Sequence, residues 1–240
     1  MIIIPDIHGR NFWKEAVRGH EDEEIIFLGD YVDPYSALEF IYPWDGLLSL
    51  RDVIDFKKAH PDNVTLLLGN HDLSYVYNSV TKCRHDYENH DDIRKLIVDN
   101  MDLFEIAYNK KVGDKLFLFS HTGIIPTWLE QNEFMIGEIK AGHEAEELNK
   151  LFHAGKLCQA LGDASAYRGG SQEVGSCIWA DVDEHFDYEQ SPNAKIYSDV
   201  YQIFGHSLQL SERPIITEHF ACLDCRHAFL LDDNGKLVKI

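Results

Sequence analysis

Six side chains able to hold a divalent cation recur at one kind of place in this chain. Asp6 and His8 follow Ile2-Ile3-Ile4. Asp30 follows Ile25-Ile26-Phe27-Leu28-Gly29. Asn70 follows Val64 to Leu68 and Gly69. His121 follows Leu116 to Phe119 and Ser120, and His206 follows Tyr201-Gln-Ile-Phe204 and Gly205. Asp, His and Asn side chains are ligands of divalent and borderline transition metals. One ion needs about three to six such ligands. With Asp33 and His71 left over, the set is large enough for two ions sharing one bridging carboxylate. Two close ions form a clamp for displacing a phosphoryl ester with an activated water.

The elements that must position these groups are legible around them. Each preceding run is short, apolar and partly β-branched, and reads as a buried strand. Open α/β sheets build their sites just past the carboxyl ends of such strands. Residues 11–20, with Asn11 as N-cap, Pro43 to His60 and Asp91 to Asn109 read as helices. Pro61-Asp-Asn63 breaks the second before the Val64 strand. Strand–helix–strand thus occurs three times, which predicts a parallel sheet with right-handed crossovers. Gly113-Asp114 predicts a hairpin turn before the Leu116 strand.

The remaining segments are less regular. Residues 36–42 are apolar for a loop beside a site and read either as a lid or pocket wall, or as a helix start packed on the core. Residues 73–90 mix polar and aromatic side chains and read as a solvated loop or as the lining of a substrate groove, with Arg84 a candidate phosphate contact. Residues 125–165 are mostly helical, and charge-rich Glu138 to Leu151 reads as a solvated face with His143 and His153 at the surface. Arg168, followed by two glycines, can reach phosphate oxygens bidentately. Beyond His206, Ile215-Ile216, Phe220 to Leu223 and Ala228 to Leu231 read as strands, and Asp233-Asn234-Gly235 as a turn before Leu237 to Ile240. Cys222-Leu-Asp-Cys225 has the spacing of half a zinc site, but no second pair completes the four ligands, so both read as ordinary strand cysteines.

The order Asp6-x-His8, Gly29-Asp30-x-x-Asp33, Gly69-Asn70-His71-Asp72, Ser120-His121 and Gly205-His206 resembles the calcineurin-like metallophosphoesterases. It is most similar to their phosphoprotein phosphatase branch, the serine/threonine phosphatases and bacterial diadenosine tetraphosphate hydrolases. The blocks run from the first strand to near the C-terminus. The resemblance implies a four-layer α/β/β/α sandwich of two mixed sheets flanked by helices. It also implies a ligand division: Asp6, His8 and Asp30 for one metal, and Asp30, Asn70, His121 and His206 for the other, with Asp30 bridging. A metal-bridging hydroxide would attack phosphorus. His71 would protonate or stabilise the leaving oxygen, with Asp33 orienting it, and Asn70 would also face the substrate. Manganese is the implied metal, with iron or zinc as further choices. The chain departs from the branch in carrying Pro34-Tyr35 where Arg-Gly is usual. Ile178-Trp-Ala-Asp181 resembles the branch's Leu-Trp-Ser-Asp, yet no arginine lies between Asp181 and His206. Arg168 is therefore proposed as a substrate contact on its chemistry.

Composition sets outer bounds. At 240 residues and 45% hydrophobic, one globular domain over 1–240 is expected. No run of 18 apolar residues predicts a membrane span. Met1 leads directly into a strand, so a cytoplasmic location is expected. The net charge of −19 repels nucleic acid and anionic membranes and disfavours a nuclease or a cyclic-nucleotide or nucleic-acid phosphodiesterase. A phosphorylated substrate remains compatible, because surface charge is screened within about 8–10 Å. Three readings follow. The first is a metal-dependent phosphate monoesterase acting on a phosphoprotein, small phosphate ester or nucleotide. The second is a dinucleoside polyphosphate hydrolase using the same catalytic residues. The third is a catalytically silent scaffold, whose mark would be a lost ligand, and none is lost.

Overall fold

The computed structural model describes residues 1–140, 142–190 and 200–240. Strands β1 (Ile2–Ile4), β2 (Ile25–Phe27), β3 (Val64–Leu67) and β4 (Phe104–Glu105) lie parallel in that spatial order. Strands β10 (Phe229–Leu231) and β11 (Leu237–Lys239) extend this sheet antiparallel on the β1 side. The second sheet holds β5 (Ala107–Val112), β6 (Lys115–Ser120), β7 (Val200–Phe204), β8 (Ile215–Ile216) and β9 (Phe220–Cys222), in the order β5-β6-β7-β9-β8. Within it β6, β7 and β9 are parallel.

A side-chain period of two assigns the layers. Ile3, Ile26, Leu28 and Leu67 pack with Phe117, Phe119, Ile203 and Ala221 in one buried cluster between the sheets. Their neighbours Ile2, Ile4, Ile25, Phe27, Val64 and Leu66 face the other way. They pack with Trp13 of α1 (Phe12–Val17), Leu50, Val53 and Ile54 of α3 (Pro43–Ala59), and Ile93 and Ile97 of α5 (His90–Val98). On the far face of the second sheet Phe204, Phe220 and Cys222 meet Val182 and Phe186 of α9 (Val182–Glu189). The architecture is the expected α/β/β/α sandwich of two mixed sheets.

Several local expectations need correction. The helix predicted for 91–109 ends at Val98. Phe104 and Glu105 instead pair with Leu66 and Leu67, and β5 begins at Ala107. The backbone N–H groups of Ile106 and Ala107, where the chain passes between sheets, both donate to Asn149 Oδ1 (2.9 and 3.1 Å). Asn11 precedes α1, but its side chain makes no capping bond. The segment 36–42 begins as the one-turn helix α2 (Ser36–Glu39), as one of its two readings expected, but Phe40 and Tyr42 after it are 89% and 63% exposed. The loop after 73 is not simply solvated, since Ser74, Tyr75, Val80, His85 and Asp86 are buried. Helix α8 (Glu144–His153) buries Glu144, Ala145 and Leu148, so its charged sequence is not all solvated, although His143 and His153 are exposed. Cys222 and Cys225 are buried free thiols. No helix among the described residues is long and apolar enough to cross a membrane.

Candidate metal centre and phosphate pocket

Parallel strands bring their carboxyl ends to one edge, and there the five motif loops meet. Asp30 is central. Its Oδ2 lies 3.5 Å from His8 Nε2 and 3.4 Å from His121 Nε2, and its Oδ1 accepts from the His71 backbone N–H (3.0 Å). Asp6 Oδ1 accepts from the His206 N–H (2.9 Å). His8 and His121 donate Nδ1–H to the Val32 and Leu28 carbonyls (2.7 and 2.8 Å). A carbonyl can only accept, so Nδ1 carries a proton in both rings, and Nε2 is the nitrogen turned toward the carboxylates. His121 Nε2 also meets Asn70 Oδ1 (3.1 Å) and His206 Nδ1 (3.2 Å).

The glycines of these motifs have a steric cause. A Cβ on Gly69 would lie 2.1 Å from Asp30 Oδ1, and one on Gly205 would lie 2.0 Å from Asp6 Oδ1. Each carboxylate crosses the neighbouring loop where only hydrogen leaves room. Backbone strain gathers here as well. His8, Asp30, Asp33, Arg84 and His206 adopt left-handed φ between 46° and 65° and are five of eight such non-glycine residues among those described. That conformation costs about 1–3 kcal/mol each and persists where surrounding bonds impose it.

His71 lies in the first turn of the short helix α4 (Asn70–Leu73), and its Nδ1 meets Asp33 Oδ2 at 2.7 Å. Asp72, which the sequence left without a role, ties two ligand loops together. Its carboxylate accepts from the N–H groups of Asp30 (2.8 Å), Tyr31 (3.0 Å) and Gly69 (2.9 Å). Burial, and then the Asp30 charge, push Asp72 up to about 8. An acid three residues after a glycine at a strand end was the available signal for this role.

Two arginines face the same cavity, a space of about 100 Å³ lined also by Asp30, Asn70, His71 and His206. The Arg84 guanidinium lies over the Tyr35 ring, 3.7 Å from its centre. Its Nη2 is 3.3 Å from His71 Nε2 and 3.4 Å from His8 Nε2, and its Nε donates to the Asp33 carbonyl (3.3 Å). Arg168 Nη2 donates to Ser207 Oγ (2.7 Å), and its Nε pairs with Asp181 Oδ2 (2.7 Å). Arg168 is thus both salt-bridged and pocket-lining. A larger cavity of about 540 Å³, lined by Phe12, Ala16, Ala228 and Leu230, contains none of these ligands.

The family profile of calcineurin-like phosphoesterases matches residues 1–210. The chain belongs to that family. Two solved structures agree on the fold. The cold-active protein-tyrosine phosphatase of a psychrophilic Shewanella species covers 99% of this chain and 76% of its own, at 14% identity and a TM-score of 0.57. A further structure, of a cold-active protein tyrosine phosphatase, gives 0.56 at 14% identity, covering 99% of this chain and 77% of its own. A protein serine/threonine phosphatase from Saccharomyces cerevisiae aligns over 92% of this chain and 65% of its own, with a TM-score of 0.48 and 14% identity. This phosphoesterase is therefore a hydrolase of phosphoester bonds, and its family is metal-dependent.

The residues fit such a metal. Asp6 Oδ2 and His206 Nε2 are buried polar atoms without a hydrogen-bond partner, a costly condition that metal ions held at these atoms would relieve. His8, Asp30 and His71 form one compact donor group, and Asp30, His121 and His206 another. Burial alone would lower His121, but the Asp30 carboxylate outweighs it and pushes the ring up to about 10. Burial, reinforced by the Asp30 charge, holds Asp6 above the usual carboxylate range, and burial holds His8 and His206 well below the usual imidazole range. The phosphoesterase thus concentrates buried carboxylate charge that calls for a cation. All nine site residues predicted from sequence converge here. Those missed are Asp72 and the shelf residue Tyr35.

Proposed function

We propose that this phosphoesterase cleaves phosphate monoesters with two divalent ions, held by Asp6, His8, Asp30, Asn70, His121 and His206, with Asp30 shared. When bound, such a pair supplies the activated water that displaces the ester. The chain's own groups do the rest. The observation that carries the monoester reading is the size and lining of the arginine-flanked cavity. At about 100 Å³ it falls well short of the ~300–1,000 Å³ of pockets that enclose a whole small ligand. It admits a phosphoryl group and leaves the remainder of the substrate at the surface. Arg84 and Arg168 supply charged donors to the phosphoryl oxygens. The Asn70 amide, also in the lining, offers a further contact. With Nδ1 held by Asp33, the other His71 nitrogen delivers a proton to the leaving oxygen.

The test is phosphate release from p-nitrophenyl phosphate, its bis ester, a phosphoserine peptide and diadenosine tetraphosphate, with and without Mn²⁺. Manganese is loaded first because mixed imidazole and carboxylate donors suit manganese, iron and zinc alike. Metal-dependent release favouring the monoesters supports the reading. Preference for the dinucleotide moves the assignment to a polyphosphate hydrolase. No release with two ions bound overturns it.

A further inference from the structure

We infer that Tyr75 is a positioning residue for proton delivery, acting on His71 through Asp33; the inference rests on the role proposed for His71. Asp33 is in an awkward place. Its backbone is left-handed, with φ 56°, and a proline follows it, which restricts the residue before. Its carboxylate is nevertheless held from three directions. Oδ2 takes His71 Nδ1 (2.7 Å), while Oδ1 accepts from the Tyr75 hydroxyl and the Asp86 N–H (3.3 Å).

The phenol is itself fixed. Tyr75 is 2% exposed, its ring stacks on His85 at 3.9 Å, and its hydroxyl accepts from the Asp86 N–H (2.8 Å). His85 is held by Ser74 Oγ (3.3 Å) and His90 Nδ1 (2.8 Å), and Ser74 Oγ donates to the His71 carbonyl (2.8 Å). His71 and Tyr75 are four residues apart, the spacing that puts two side chains on one face of a helical turn. The turn continues past α4, since the Ser74 N–H donates to the Asn70 carbonyl (3.0 Å). Asp33 is gripped between them. Burial, and then the Asp33 charge, push the phenol far above its usual range, so it stays a neutral donor. A carboxylate pinned at both oxygens fixes the imidazole plane, and with it the direction of Nε2.

The experiment compares Tyr75→Phe, His71→Asn and the double variant on phenyl phosphate and p-nitrophenyl phosphate. Both substrates need the metals and pocket, but only the poor phenolate leaving group depends strongly on a delivered proton. Tyr75→Phe keeps the ring stack. It should lower kcat on phenyl phosphate about tenfold, the scale of one hydrogen bond to a charged group. KM, manganese stoichiometry and the p-nitrophenyl phosphate rate should stay within about threefold, and in the His71→Asn background the substitution should add nothing. Tyr75→His, which retains a ring and a donor, should recover part of the phenyl phosphate rate. Equal losses on both substrates, or an unchanged phenyl phosphate rate while His71→Asn loses it, would overturn the role of Tyr75 alone. Full phenyl phosphate turnover by His71→Asn would instead overturn the reading of His71, and the inference with it.

Discussion

Replacing Gly205 by alanine tests whether the carboxylate beneath it is a metal ligand. The new Cβ would sit 2.0 Å from Asp6 Oδ1, whereas real Cβ contacts essentially never fall below 3.0 Å. Asp6 would have to withdraw by about 1 Å, several times the ~0.2 Å tolerance of a metal–ligand distance. It would also lose the N–H bond from His206, now 2.9 Å. One hydrogen bond to a charged group is worth about 1.5–3 kcal/mol, which converts to about 10–150-fold in affinity. Calorimetric titration of the metal-stripped protein with Mn²⁺ reads this directly. Gly19→Ala is the control, because its φ of +79° is strained but nothing lies within 4 Å of its Cβ. That control should lose about 1–2 kcal/mol of stability and keep its metals. If Gly205→Ala bound Mn²⁺ as tightly as the parent, Asp6 would not be a ligand.

Arg84→Ala should raise KM for p-nitrophenyl phosphate about 10–100-fold through loss of charged donors, with Mn²⁺ affinity nearly unchanged; steady-state kinetics with an unaltered KM would remove Arg84 from substrate binding. A second expectation concerns His185, buried and stacked on Phe204, with Nε2 donating to the Thr122 carbonyl (2.8 Å). Burial pushes it down from 6.5 to about 4. On acidification the unfolded chain takes the proton first, so this contribution is full above about pH 6.5 and fades toward about pH 4, by about 3 kcal/mol in all. Urea unfolding of the metal-stripped protein should show less acid loss for His185→Gln than for the parent, and parallel curves would refute the assignment.

The strands that carry ligands were legible because each joins an apolar run to a glycine or serine and a polar ligand within a few residues. Segments whose structure is set by distant partners were not. Phe104-Glu105 has too few residues to show a period and continues a helical pattern, and it becomes β4 only because Leu66 and Leu67 offer an unpaired edge. Arg84 was visible as a candidate, but its bond to His8 spans 76 residues and its platform, Tyr35, was hidden in an unfamiliar Pro-Tyr pair. Tyr75 looked like one polar aromatic among several. Its function rests on Asp33, 42 residues away. Arg10 and Arg226 both grip Glu39, which anchors α2, a link no local pattern could reveal.

The bond between Asp6 and the His206 backbone joins residues 200 apart. Loops of that span close late and slowly, since their entropy must be met before the contact gains anything. The two sheets, one carrying Asp6 and the other His206, must already be stacked when it forms. An ion held by Asp30 beside the first sheet and by His121 and His206 beside the second can therefore act only on the finished molecule. It should slow unfolding and leave the folding rate nearly untouched, as interactions absent from the transition state do. Metal would then serve as a latch on the completed molecule and not as a template for building it.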